Sequence, residues 1–119
     1  MKPLILLVDD ELEFTNTLSE RLQMRGFETV VAATGVEALS AIAENPPQLA
    51  LIDLKMPEMN GLELLKHIRT QSPQTPVILL SGRGTTTDGI QSMRLGAVDF
   101  LTKPVDIDSL VSCIQKNLP

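Results

Sequence analysis

Short apolar runs of strand length alternate along this chain with segments whose apolar residues recur at helical spacing. The first run, Leu4-Ile5-Leu6-Leu7-Val8, has no polar alternation, which predicts a strand buried on both faces. Phe14, Leu18 and Leu22 then recur every four residues and predict a helix that Gly26 ends. Glu28–Ala32 reads as a short second strand. After Thr34-Gly35, the residues Val36, Leu39 and Ile42 or Ala43 predict the inner face of a second helix, stopped by Asn45-Pro46-Pro47. The third strand, Leu49 to Asp53, breaks into Leu54-Lys55-Met56-Pro57 and then Asn60-Gly61. Leu62, Leu65 and Ile68 form the stripe of a third helix that stops near Ser72-Pro73. Pro76 introduces a fourth strand, Val77 to Leu80, which runs into Ser81-Gly82.

From Gly84 to Leu95 the pattern weakens. Three threonines and Gly89 lower helix propensity, so a soft and mobile helix is expected, with Ile90, Met93 and Leu95 facing inward. Gly96 ends it, and Asp99–Thr102 makes a fifth strand leading to Lys103-Pro104. Asp106 is placed to cap a last helix whose spacing is kept by Ile107, Leu110, Val111, Ile114 and Leu118. Five strands alternating with five helices predict one α/β domain over residues 1–119. Its sheet should be parallel, with right-handed crossovers and helices on both faces.

Composition narrows the function classes. A 43% hydrophobic content with few aromatics suits an aliphatic core in a chain of 119 residues. The net charge of -5 argues against nucleic-acid binding by this domain and against anionic membrane surfaces. The single cysteine, Cys113, excludes an internal disulfide and fits a reducing compartment. The apolar start is too short for a signal peptide and stops at Asp9-Asp10, so a soluble cytoplasmic domain is expected.

The strand ends carry the chemistry. Open α/β sheets build their sites at the carboxyl edge. Here Asp9-Asp10-Glu11, Asp53, Ser81 and Lys103 each follow or close a strand. Each feature alone has a plain explanation: acids at a helix start offset its dipole, and an aspartate before a Pro/Gly loop forms turns. Together they differ. Three crowded carboxylates repel unless a cation joins them, and Mg²⁺ takes one or two carboxylates plus a phosphate oxygen. Lys103 can pair with a carboxylate or a phosphoryl oxygen, Ser81 can donate to another, and a carboxylate is left to attack phosphorus.

At this point the chain resembles the receiver domains of response regulators in two-component, or phosphorelay, signalling. The likeness rests on Val8-Asp9-Asp10-Glu11, on Asp53-Leu54-Lys55-Met56-Pro57 with Asn60-Gly61, on Ser81, and on Gly96-Ala97-Val98-Asp99-Phe100-Leu101-Thr102-Lys103-Pro104. It implies a flavodoxin-like doubly wound (βα)5 fold with strand order 2-1-3-4-5. It also implies that Asp53 accepts a phosphoryl group from a sensor histidine kinase or a histidine phosphotransfer domain. Asp10 and Asp53 would bind Mg²⁺ directly, Asp9 largely through a water, and the main-chain carbonyl of Lys55 would complete the shell. Ser81 and Lys103 would hold the phosphoryl group. Ser81 and Phe100 would switch together, remodelling the face of the fourth helix, fifth strand and fifth helix, with dimerisation or an attached output domain as routes outward. The family carries a cis bond at the Lys103-Pro104 position.

Lys55 and Arg83 occupy the two positions that flank the phosphoryl group in that family. Neither can accept a proton from an attacking water, so both are expected to lengthen the life of the acyl phosphate. On this reading the domain is not an enzyme beyond its own phosphorylation and dephosphorylation. The alternatives are a degenerate receiver that only docks partners, and a Mg²⁺-dependent aspartyl phosphatase. The latter commonly needs an acid two residues past its nucleophile, where Lys55 stands. A flavin-binding domain of this fold is disfavoured, because Asp9-Asp10-Glu11 would repel a cofactor phosphate.

Overall fold

The computed structural model describes residues 2–82 and 86–119, with the backbone alone for 86–88. The elements are β1 (Leu4–Val8), α1 (Leu12–Met24), β2 (Glu28–Ala32), α2 (Gly35–Glu44), β3 (Leu49–Asp53), α3 (Gly61–Gln71), β4 (Val77–Ser81), α4 (Thr86–Arg94), β5 (Asp99–Thr102) and α5 (Ile107–Asn117). All strand pairs are parallel and the sheet order is β2-β1-β3-β4-β5, as the resemblance implies. Every residue of β3 and β4 is buried, which explains their unbroken apolar sequences.

Alternation within the strands divides the core between two faces. Leu6, Val8, Ala50, Ile52 and Leu79 pack with Ala38 and Ile42 of α2 and Leu64, Leu65 and Ile68 of α3. Ile5, Leu7, Leu51 and Ile78 face the other way, onto Leu18 and Leu22 of α1 and Leu110 and Ile114 of α5. Local signals set the helix ends. Asn60 Oδ1 accepts from the Glu63 N–H at 2.9 Å and Glu63 reaches back to the Asn60 N–H, forming a capping box on α3. Thr34 caps α2 by accepting the Glu37 N–H, and Asp106 caps α5 by accepting the Ser109 N–H. Gly26 and Gly96, with φ of 92° and 106°, turn the chain out of α1 and α4 in a conformation that side chains disfavour.

Two helices keep only part of the face that their apolar spacing predicts: Leu39, Ile42 and Leu95 pack against the core, and the other expected positions do not. In α2 the buried positions are Gly35, Ala38 and Ile42, while Val36 is 65% exposed and Ala43 is also exposed. Gly35 lies so close to Met59 that its face of the helix must turn inward. In α4, Ile90 and Met93 are about half exposed; Leu95, just past the helix, is half-buried. Among the described side chains of α4, the inward positions are Gly89, which lies against the Phe100 ring, and Ser92, which is fully buried. Ser92 can be buried because its hydroxyl donates to the Gly89 carbonyl at 2.8 Å. Residues 84 and 85 of the stretch expected to be soft lie outside the described residues. No helix among the described residues is long and apolar enough to cross a membrane.

Candidate functional site at the carboxyl edge of the sheet

Each side chain of the site is positioned where a strand gives way to a turn. The Asp9 N–H donates to the Ala32 carbonyl at 3.1 Å, which carries the β1–β2 pairing one residue past the strand. The Asp9 carboxylate folds back to accept the Glu11 N–H at 2.9 Å, fixing the turn into α1. Asp10 is left exposed at the mouth, whereas Asp9 is buried. Asp53 closes β3 opposite Leu80, and is buried. Ser81 closes β4 opposite Thr102, and the Lys103 N–H donates to the Ser81 carbonyl at 2.6 Å. The Lys103-Pro104 peptide is cis.

These turns bring one carboxylate oxygen from each of Asp9, Asp10 and Asp53 within 4.8 Å of one another. The Lys103 ammonium reaches into the same space. It donates to Asp9 Oδ2 at 2.6 Å and to Glu11 Oε1 at 3.3 Å, and lies 3.5 Å from Asp53 Oδ1. The ring of Phe14 lies alongside, its centroid 4.3 Å from the ammonium nitrogen. Burial, reinforced by the charge of Asp9, pushes the Asp53 carboxyl up to about 6, although Lys103 pulls the other way. Burial alone would lower Lys103, but its bond to Asp9 and the charges of Asp53 and Asp9 leave it raised. Asp53 is therefore still mostly ionised at pH 7 while being easier to protonate than an ordinary aspartate.

One lysine leaves this group of carboxylates with an excess of negative charge. The Ser81 hydroxyl is buried with no hydrogen-bond partner among the described residues, an arrangement that costs stability unless a ligand oxygen is received there. Converging hard oxygen donors, a donor hydroxyl and an ammonium fit a hard divalent cation together with an anionic phosphoryl group. Asp10, Glu11, Asp53, Lys55, Gly82 and Lys103 line an open cleft of 520 Å³ over the cluster. Lys55 is exposed at its rim, and Arg83 lies outside the described residues.

Phe100 is set apart from the carboxylates, half-buried on β5 against α4. His67 is exposed on α3. Cys113 is buried, donates to Asp99 Oδ2 at 3.1 Å, and is held up at about 11 by burial and that carboxylate, so it is a poor nucleophile. Sequence spacing did not identify two contacts of the site. Glu11 reads as one more acid in a run, and Phe14 as the first residue of an apolar helix stripe. Both meet Lys103.

Residues 5–115 match the family described as "Response regulator receiver domain". Over 111 residues the chain is 45% identical to the transcriptional regulatory protein CpxR of Klebsiella pneumoniae, covering 93% of this chain and 47% of CpxR. Over 114 residues it is 39% identical to the regulatory protein AtoC of Escherichia coli, covering 96% of this chain and 25% of AtoC. The chain thus spans half or less of these relatives. Among solved structures, the receiver domain of NtrX from Brucella abortus superposes with a TM-score of 0.91 at 34% identity, covering 96% of this chain and 97% of that one. The chemotaxis protein CheY4 of Vibrio cholerae gives a TM-score of 0.93 at 30% identity, covering 99% and 100%.

Proposed function

This chain belongs to the response-regulator receiver family, and from that premise we propose that it is a phosphorylation-activated switch whose phosphoacceptor is Asp53. Accepting a phosphoryl group is the general function of that family, whose domains are signalling switches rather than enzymes. The observation that carries the assignment is the setting of Asp53: a buried carboxylate beside Asp9, Asp10 and Lys103, at a sheet edge where the Ser81 hydroxyl has no partner among the described residues.

The transfer needs an ionised Asp53, which neutral pH supplies. An Asp53 oxygen attacks phosphorus in line, the P–N bond of a phosphohistidine donor breaks, and the imidazole departs with the electron pair. Lys103 and Ser81 donate to two equatorial oxygens, where charge accumulates in a loose transition state. Asp10, Asp53 and the main-chain carbonyl of Lys55 would hold Mg²⁺, with Asp9 in support. When bound, the ion neutralises carboxylate charge and polarises a phosphoryl oxygen.

Output is a population shift. A hydrogen bond from Ser81 to the phosphoryl group favours one of two positions of the end of β4, and Phe100 moves with it. The outer faces of α4, β5 and α5 then change, offering a surface for a homodimer or an attached output domain. Ile90 and Met93, both exposed on α4, supply apolar area for such a contact. A sensor histidine kinase or a histidine phosphotransfer domain supplies the phosphoryl group. Lys55 and Arg83, lacking any group that can take a proton from water, prolong the acyl phosphate.

The test is intact mass after incubation with Mg²⁺ and acetyl phosphate, beside Asp53→Asn. One added phosphoryl group that vanishes in the variant and without Mg²⁺ is the expected result. An adduct that survives Asp53→Asn would overturn the assignment.

A further inference from the structure

We infer that Phe14 is a positioning residue for Lys103, holding the ammonium over the phosphoacceptor through the face of its ring. The inference rests on the switch reading, since it assigns Lys103 a task at the phosphoryl group. Three sides of the ammonium are occupied by carboxylates: Asp9 at 2.6 Å, Glu11 at 3.3 Å and Asp53 at 3.5 Å. The ring centroid of Phe14 lies 4.3 Å from Nζ, close enough for the ring quadrupole to attract the cation. Phe14 is itself anchored, half-buried against the core formed by α1, α5 and the sheet.

The need for such a wall follows from the chemistry of lysine. An ammonium on a flexible four-carbon stem is strongly hydrated and has three donors that re-aim freely. Here its shortest contact is with Asp9, not with the acceptor Asp53. Water on the open side would compete with both carboxylates and with an incoming phosphoryl oxygen. An aromatic face excludes that water, attracts the charge and adds no acceptor that draws the proton-bearing nitrogen away. An aliphatic residue could supply the exclusion without the attraction, so the two contributions can be separated by substitution.

Phe14→Leu keeps an apolar side chain on α1 and removes the ring; Phe14→Tyr keeps the ring. Phosphorylation by acetyl phosphate in saturating Mg²⁺ is expected to slow about three- to tenfold in Phe14→Leu and to recover in Phe14→Tyr. Calorimetric Mg²⁺ affinity should change little, because the ring acts on Lys103 and offers no oxygen to a cation. In the Mg²⁺-free protein, the Lys103 ε-methylene protons should show an upfield ring-current shift in NMR. That shift should persist in Phe14→Tyr and disappear in Phe14→Leu. Equal rates for all three chains, or slowing in both variants in step with lost thermal stability, would overturn the inference. No phosphoryl uptake by the unsubstituted chain would instead count against the switch reading, and the Lys103 resonances would still decide the position of the ring.

Discussion

Gly61 and Asp53 are in main-chain contact: a β-carbon on Gly61 would stand 2.6 Å from the Asp53 carbonyl oxygen and 2.8 Å from the α-carbon of Leu54. The Gly61 N–H also donates to the Leu54 carbonyl at 2.8 Å, so the start of α3 rests directly on the exit of β3. Backbone cannot yield as a side-chain tip can. Gly61→Ala should therefore cost about 1–3 kcal/mol and slow phosphorylation by displacing the acceptor. Urea unfolding measures the first and intact mass the second. An alanine variant with unchanged midpoint and rate would show that this contact does not fix Asp53.

The raised pKa of Asp53 has a defined sign in stability. Its folded value of about 6 lies above the ordinary 3.8, so the native state favours the protonated form. That contribution is complete below about pH 4 and is lost as pH rises through about 6. Asp53→Asn imitates the protonated form. In Mg²⁺-free buffer it should be more stable than the native chain by on the order of 1–3 kcal/mol at pH 7.5, and nearly equal to it at pH 4. Thermal melts at the two pH values check this; a difference that does not change with pH would refute the electrostatic origin.

Protons and the divalent cation should compete for the same carboxylate. A cation can only use Asp53 when it is ionised, so apparent Mg²⁺ affinity should fall about tenfold for each pH unit below about 6. The chain contains no tryptophan, which makes titration calorimetry the suitable readout. Affinity that stays constant from pH 7.5 to pH 5 would place the ion away from Asp53.

Much of this could be read along the chain because strands and the polar residues that end them announce themselves locally. Leu49-Ala50-Leu51-Ile52-Asp53 is unbroken apolar sequence closed by a carboxylate, and β3 has those bounds. Asp9, Asp10, Ser81 and Lys103 follow the same rule of strand then turn, so parallel pairing alone gathers them at one edge. The inward face of α4 was not legible. Among the described side chains of the helix it is made by Gly89 and Ser92, and neither is an apolar side chain that would mark it. The contact of Phe14 with Lys103 was hidden for another reason. It joins α1 to the residue after β5, and a phenylalanine at helical spacing gives no sign that one face of its ring meets a cation.

Lys55 provides the last test. It lies exposed on the rim of the cleft that Asp10, Asp53 and Lys103 share, two residues past the acceptor. An acyl phosphate is lost when water attacks phosphorus in line, and a nearby amide or carboxylate hastens this by orienting that water. An ammonium has donors only, so it can approach the phosphoryl oxygens but cannot accept a proton from the attacking water. Lys55→Asn should hasten dephosphorylation at least about threefold, well short of the 10²–10⁴ that a fully placed general base contributes. The decay of the phosphorylated mass after removal of acetyl phosphate, followed in both chains, measures the effect. Folding stability should hardly change, because the side chain is solvated. Equal decay in the two chains would remove Lys55 from the control of lifetime and leave that role to Arg83.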